Sequence, residues 1–385
     1  MMEAARFDWV YESNVVYDPE VEVQERFADP DTGVGKLRLT SAPWISTHVY
    51  PEIPVSTPDG QRFLFHRINQ FSGRRDIWIA DVPTLRIRQV SDEQDVRYPV
   101  IAPDGAWFYY VAGRTIVRFD PQTCARETCG EIDPRFGAID RMCSISLCGH
   151  RMLIPYTNDE TSGIGCFELA TGAMHVVYEH PECFNTHLQY SRCDPHRLVF
   201  QVNDGVERDE NGTFTRLVGK HGCSIHVIND DGTGHEVLNV GRAEDEHVQG
   251  HHCWIGRENR IITTTHRRAR PGDRWSQDRI VTIAPGETSG TVVCEGGPES
   301  FTHVHVTSDG RHWVSDCNRT AKIYVGSVAT GQHRLFCSSG TSFGAPQWTH
   351  PHPFFLGDDR TIGWNSDESG IPHIYVGRIP EGFVP

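Results

Sequence analysis

An all-β fold, a β-propeller of seven four-stranded antiparallel blades, is what this 385-residue sequence predicts. Two observations predict it. Asp-Gly or related turns recur seven times, each joining a short strand to an alternating or aromatic one, which is a hairpin signature repeated at propeller spacing. Helical periodicity is almost absent between them, so no second layer of helices is available.

The clearest copies of the hairpin are "STPDGQRFLF" (56–65), "IAPDGAWFYY" (101–110), "VTSDGRHWVS" (306–315) and "FLGDDRTIGW" (355–364). Looser copies are "SISLCGHRMLI" (144–154), "QYSRCDPHRLVF" (189–200) and "WIGRENRIIT" (254–263). Each is followed by a β-rich run that supplies a second hairpin, as in "RDIWIADVPTLRIRQVSD", "SIHVINDDGTGHEVLN" and "AKIYVGSVATGQHRLFC". Four strands per repeat result. The final repeat, "HIYVGRIPEGFVP", stops after its third strand, while "TGVGKLRLTS" (32–41) near the start reads as an outermost strand. An N-terminal strand is therefore expected to complete the last blade and close the ring, sparing the sheet an open edge. Residues 1–385 read as a single propeller domain.

Composition narrows the function. A formal charge of −15 with no Lys/Arg cluster argues against a nucleic-acid partner, whose phosphates require one. No run of 18 apolar residues predicts a membrane span, and "MMEAARFDWVYESN" lacks the basic head and apolar stretch of a secretion signal. A cytoplasmic protein is expected. The twelve cysteines contain no CxxC pair, their nearest approaches being of the Cys124/Cys129 and Cys143/Cys148 type. Buried free thiols fit better than a zinc cluster. No G-x-S-x-G elbow or strand-helix alternation supports a serine hydrolase.

The chemistry lies in one register. Three positions back from the end of each repeat's first strand stand Ile53, Tyr98, Met142, His187, His251, His303 and His352, the first four being 45, 44 and 45 positions apart. Four successive blades place histidine there. First strands line a propeller's central channel, so these histidines should converge at one mouth of it. His252 and His305 fall outside the frame and read as supporting residues, although His305 shares a strand face with His303. Within "QWTHPHPFF" (347–355), Gln347 and His350 join His352. Imidazoles with one amide oxygen suit a borderline divalent ion such as Mn, Fe, Co, Ni or Zn better than Ca or Mg.

These residues resemble the oligogalacturonate lyases, seven-bladed propeller enzymes of pectin degradation. The resemblance spans nearly the whole chain: "TGVGKLRLTS" leading into a "TPDG" blade, "THLQYSRCDPHRLVF", "INDDGTG" followed by "GHHCW", "HVHVTSDGRHWVSD" and, most specifically, "QWTHPHPFF". It implies a manganese-type site formed by His303, Gln347, His350 and His352, with His251 as the base. It also implies a short uronate oligosaccharide as substrate, cleaved by β-elimination to a 4,5-unsaturated uronate. In one place the sequence departs from the family. Where the family carries an arginine just before the "I-x-x-I-N-x-D-G" strand of the fourth blade, this chain has Ser224. Arg216, Lys220 and His221 lie upstream as replacements, and Arg216 and Lys220, with His187, are the candidate substrate-binding residues. The alternatives are a lyase acting on another uronate and a propeller that binds a ligand without catalysis.

Overall fold

The computed structural model describes residues 16–140, 142–210, 214–216, 222–241, 246–267, 277–297 and 299–384. Seven antiparallel sheets stand around a channel, and in the first six the strand order from the channel outward follows chain order. Blade 1 runs from Ile45–His48 to Arg86–Gln89, blade 2 from Val96–Ile101 to Arg126–Glu131, and blade 3 from Ala138–Ile139 to Met174–Glu179. Blade 4 spans Gln189–Tyr190 to Glu236–Val237 and carries an extra hairpin, Glu207–Arg208 with Phe214–Arg216, between its second and third strands. Blade 5 spans Glu246–Trp254 to Thr291–Glu295 and blade 6 spans Phe301–Val306 to His333–Ser338.

Blade 7 shows how the ring closes. Its own three strands, Phe354–Phe355, Thr361–Ser366 and His373–Arg378, are completed by Gly35–Arg38, with Leu37 opposite Val376. A further strand, Glu25–Ala28, pairs outside that one. The sequence predicted one N-terminal strand on this sheet and the structure has two, because the chain turns back at Asp29, whose carboxylate caps the turn through Thr32.

The repeated turns also explain their glycines. Gly60 has φ +68°, and a Cβ there would lie 2.7 Å from the backbone nitrogen of Asp358 in blade 7. At Gly105, with φ +75°, a Cβ would lie 2.4 Å from Pro58 Cδ in blade 1. Each turn packs on the turn of the neighbouring blade, so the residue must be small as well as left-handed. Between blades the interior is apolar and aromatic: Trp313 and Trp364 on second strands are fully buried, as are Phe63, Phe65, Phe108 and Phe200.

Among the described residues, the innermost strands of blades 1 and 3 are interrupted. In blade 1, Ile45–His48 pairs with Arg62–Ile68, and pairing resumes only at Ser56 opposite Phe63. In blade 3, Ala138–Ile139 and Ser144–Ile145 both pair with Arg151–Thr157 and leave a gap around Met142. The blade 1 segment released at its gap brings Tyr50 against histidines of blades 4 to 7. Among the described residues, no helix is long and apolar enough to cross a membrane.

Candidate metal centre

The registered histidines do converge. Ring centroids of His303 and His352 are 4.2 Å apart, those of His251 and His303 4.3 Å, those of His350 and His352 5.6 Å, and those of His187 and His251 5.6 Å. The nitrogen donors of His303, His350 and His352 all lie within 4.8 Å of one another, which is the spread a single ion can span.

Each donor is set by its element. His303 sits where the first strand of blade 6 bulges, between the pairs Phe301–Cys317 and Val304–Ser315. The bulge turns its Nδ1 toward Asp316, whose Oδ2 is 2.8 Å away, and Asp316 Oδ1 accepts the His303 backbone N–H at 2.9 Å. A carboxylate on Nδ1 leaves Nε2 to act as donor. His350 follows the short 3₁₀ turn Gln347–Thr349; its Nε2–H donates to Gly344 O at 3.0 Å, and its Nδ1 is buried without a hydrogen-bond partner. His352 is held at φ +47°, a left-handed backbone uncommon outside glycine, and its Nε2 is likewise buried and unpartnered. Buried imidazole nitrogens left without a partner are costly unless an ion or water satisfies them. The three histidines therefore fit a divalent ion. Gln347 begins the turn and is exposed to solvent.

Burial keeps the group neutral. Desolvation, with His303 and His350 adjacent, pushes His352 well below its ordinary pKa, and desolvation with His303 lowers that of His350. Desolvation also drives His251 well below 6.5, helped by His303 and His187. Neutral imidazoles ligate metals and accept protons, whereas imidazolium does neither.

His251 stands beside the group, half-buried, on the first strand of blade 5 past a bulge at Gly250. Its backbone carbonyl accepts from Thr263 Oγ1 at 2.8 Å. Its Nδ1 is 3.2 Å from Tyr50 Oη, and no hydrogen-bond partner for Nε2 is found among the described residues. His187, also left-handed at φ +47°, is buried, and its Nδ1 bonds to Glu52.

The two residues outside the frame separate as the register demands. His305 Nδ1 accepts from the Phe355 backbone N–H at 3.1 Å, and its ring, with Ile53, Arg192 and Arg257, lines a cavity of about 310 Å³ at the hairpin-turn end of the channel. His252 is fully buried behind His187, at 6.1 Å between ring centroids. Met142 shares the left-handed backbone of His187 and His352 at its register position. Arg216 lies on the inserted hairpin of blade 4, and Lys220 and His221 lie outside the described residues. Ser224 is buried, its Oγ 2.8 Å from His226 Nε2.

The register reading missed Tyr50, Glu52 and Asp316. Tyr50 and Glu52 stand in "YPEIP", inside the blade 1 gap, and the frame passed over them to Ile53. The two prolines of that stretch were the available signal, because proline is poorly tolerated in an inner strand. Asp316 could have been found by counting the hairpin register across from His303.

Two curated relatives match along nearly their whole length. The oligogalacturonate lyase of Dickeya dadantii (strain 3937) is 21% identical over 390 residues, covering 92% of this chain and 96% of the relative. The oligogalacturonide lyase of Pectobacterium atrosepticum is 27% identical over 388 residues, with the same coverage of 92% and 96%. Among solved structures, an oligogalacturonate lyase in complex with manganese superposes with a TM-score of 0.77 at 19% identity, covering 95% of this chain and 99% of that one. A second oligogalacturonate lyase structure, from Vibrio parahaemolyticus, also gives 0.77, at 20% identity, covering 96% and 100%. No family model matches the sequence. The resemblance read from the motifs is borne out, as is the seven-bladed fold.

Proposed function

We propose that this chain, a member of the oligogalacturonate lyase family, is a metal-dependent lyase that cleaves short uronate oligosaccharides by β-elimination. The observation that carries the reading is the meeting of two kinds of histidine in one cluster: three donors within 4.8 Å of one another, and His251 beside them, whose Nε2 has no hydrogen-bond partner among the described residues. A site that only stabilised the fold would need the first kind alone.

His303, His350 and His352 would hold the ion, with the exposed amide of Gln347 as a fourth donor. We take the ion to be manganese, the metal of the solved relative. When bound, it would supply a Lewis acid for the substrate carboxylate, stabilising the charge that gathers there as the neighbouring C5 proton leaves. His251 removes that proton through Nε2. Its depressed pKa keeps the ring in the basic form at neutral pH. The electron pair released at C5 forms the 4,5 double bond while the C4–O4 bond breaks, and the departing oxygen takes up a proton. We assign substrate binding to His187, beside His251 at 5.6 Å between ring centroids, and to Arg216 and Lys220 as further candidates. Ser224 in place of the family arginine favours a second substrate assignment, in which the same chemistry acts on a different uronate linkage. Twelve free cysteines fit a reducing compartment, and we assign the activity to the cytoplasm.

The test is absorbance of the unsaturated uronate while manganese-loaded protein acts on a panel of galacturonate and other uronate disaccharides. A signal with digalacturonate that disappears with chelator and in His251→Ala establishes the reading. A signal with another uronate alone keeps the mechanism and moves the substrate. Silence across the panel leaves a ligand-binding propeller.

A further inference from the structure

Blade 1 contributes no registered histidine, yet its chain contacts those of four other blades. Its first strand stops at His48 and pairing resumes at Ser56, and the residues between carry two side chains toward the histidines of other blades. The Tyr50 ring lies 5.0 Å from His187, 6.0 Å from His251, 5.8 Å from His303 and 4.8 Å from His352, centroid to centroid. Its hydroxyl meets His251 Nδ1 at 3.2 Å. Two residues on, Glu52 is 1% exposed and bonds His187 Nδ1, while His187 Nε2 is 3.3 Å from the Asn185 side-chain amide. Both polar contacts fall on histidines that are not needed to complete the metal group, and both fall on the same ring nitrogen.

We propose that this excursion is the positioning device of the site, with Tyr50 fixing the tautomer and ring plane of His251 and Glu52 doing the same for His187. A neutral imidazole carries one proton, and the hydrogen bond at one nitrogen decides which nitrogen keeps a lone pair. The 3.2 Å contact allows either direction: Tyr50 O–H donating to Nδ1 would put the ring proton on Nε2, whereas a base at Nε2 requires Nδ1–H to donate to Tyr50 Oη, which is the arrangement proposed. At His187, Nδ1–H donated to the Glu52 carboxylate matches the amide N–H of Asn185 arriving at Nε2. The channel could have been filled by any aromatic ring. Only the Tyr50 hydroxyl gives direction to His251, so the hydroxyl is the part to remove.

The kinetic side of this inference rests on the lyase reading, whereas the tautomer does not. Tyr50→Phe keeps the ring and takes away Oη alone. Zinc-loaded protein with ¹⁵N-labelled histidine, its His251 signals assigned by loss in His251→Gln, should show Nδ1 protonated in the wild type and a mixed or inverted tautomer in Y50F. On the cleaved uronate, kcat should fall about tenfold or more, within the range that general-base catalysis supplies, with KM and manganese affinity unchanged. Glu52→Gln should shift the His187 resonances and leave those of His251 in place. An unchanged His251 tautomer in Y50F, an unchanged kcat, or a matching loss of manganese affinity would overturn the proposal and reduce Tyr50 to packing. Should the wild type cleave no uronate, the lyase reading fails, and the spectra still decide the role of Tyr50.

Discussion

Asp316 holds His303 by both oxygens, one on the backbone N–H and one on Nδ1, and is itself fully buried. Its charge makes the imidazole a stronger donor and its geometry aims the ring, so the carboxylate should matter to metal binding although it is no ligand. Asp316→Asn preserves shape and removes the charge. Manganese affinity, measured by titration calorimetry, should drop roughly 10- to 100-fold while the circular dichroism spectrum is kept. An unchanged affinity would mean that His303 is aimed by the bulge alone. At this scale the sequence was legible where the repeat preserved its spacing. His187, His251, His303 and His352 were found because equivalent positions in successive blades must meet at the channel. Asp316, Tyr50 and Glu52 were not, since one acts from a second strand and the others from a segment that leaves the repeat.

The same division holds for elements. The hairpins were legible because Asp-Gly turns and alternating strands are local signals, while the innermost strand of blade 1 breaks where Tyr50 and Glu52 make contacts with other blades. Ring closure was half legible. "TGVGKLRLTS" announced a strand without a local partner, but the additional strand Glu25–Ala28 is exposed along its length and carries no alternating apolar signal. Closure is non-covalent and rests on few apolar side chains, of which Val34 is 1% and Leu39 2% exposed. Val34 packs into a core shared with Phe336, Trp364 and Tyr375, and Leu39 into one that includes Ile374 and Val376. Leu39→Ala should therefore cost about 2–5 kcal/mol, as a core substitution does, despite its place near the start of the chain. The midpoint of urea unfolding measures this. A change below about 0.5 kcal/mol, the size typical of surface sites, would show that the ring holds without its N-terminal clasp.

For the molecule as a whole, the distribution of histidine sets a dependence on pH that the fold class alone does not. Several histidines other than the three candidate ligands are buried where a charge is costly. Desolvation pushes His252 down to about 3, with His187 adding to it, and pushes His373 down to about 4, with Arg38 contributing. His66 goes the same way through burial and Arg75. In the unfolded chain each returns to a pKa near ~6.5. Between the two values the unfolded state binds protons that the folded state refuses, so stability is highest above about pH 6.5 and falls as the pH drops. Each such group can contribute up to about 1.4 kcal/mol per pH unit within that window. Carboxylates held low by hydrogen bonds, such as Asp367 beside Ser342 and Thr341, add their own acid dependence only near or below their ordinary range. The interval from pH 6.5 to 5 consequently belongs to histidine. Metal-free protein unfolded in urea should lose stability steadily across that interval, and His252→Gln should make the slope shallower. A flat profile down to pH 5 would mean that these rings take up protons in the folded state, and that the channel wall admits the water needed to solvate them.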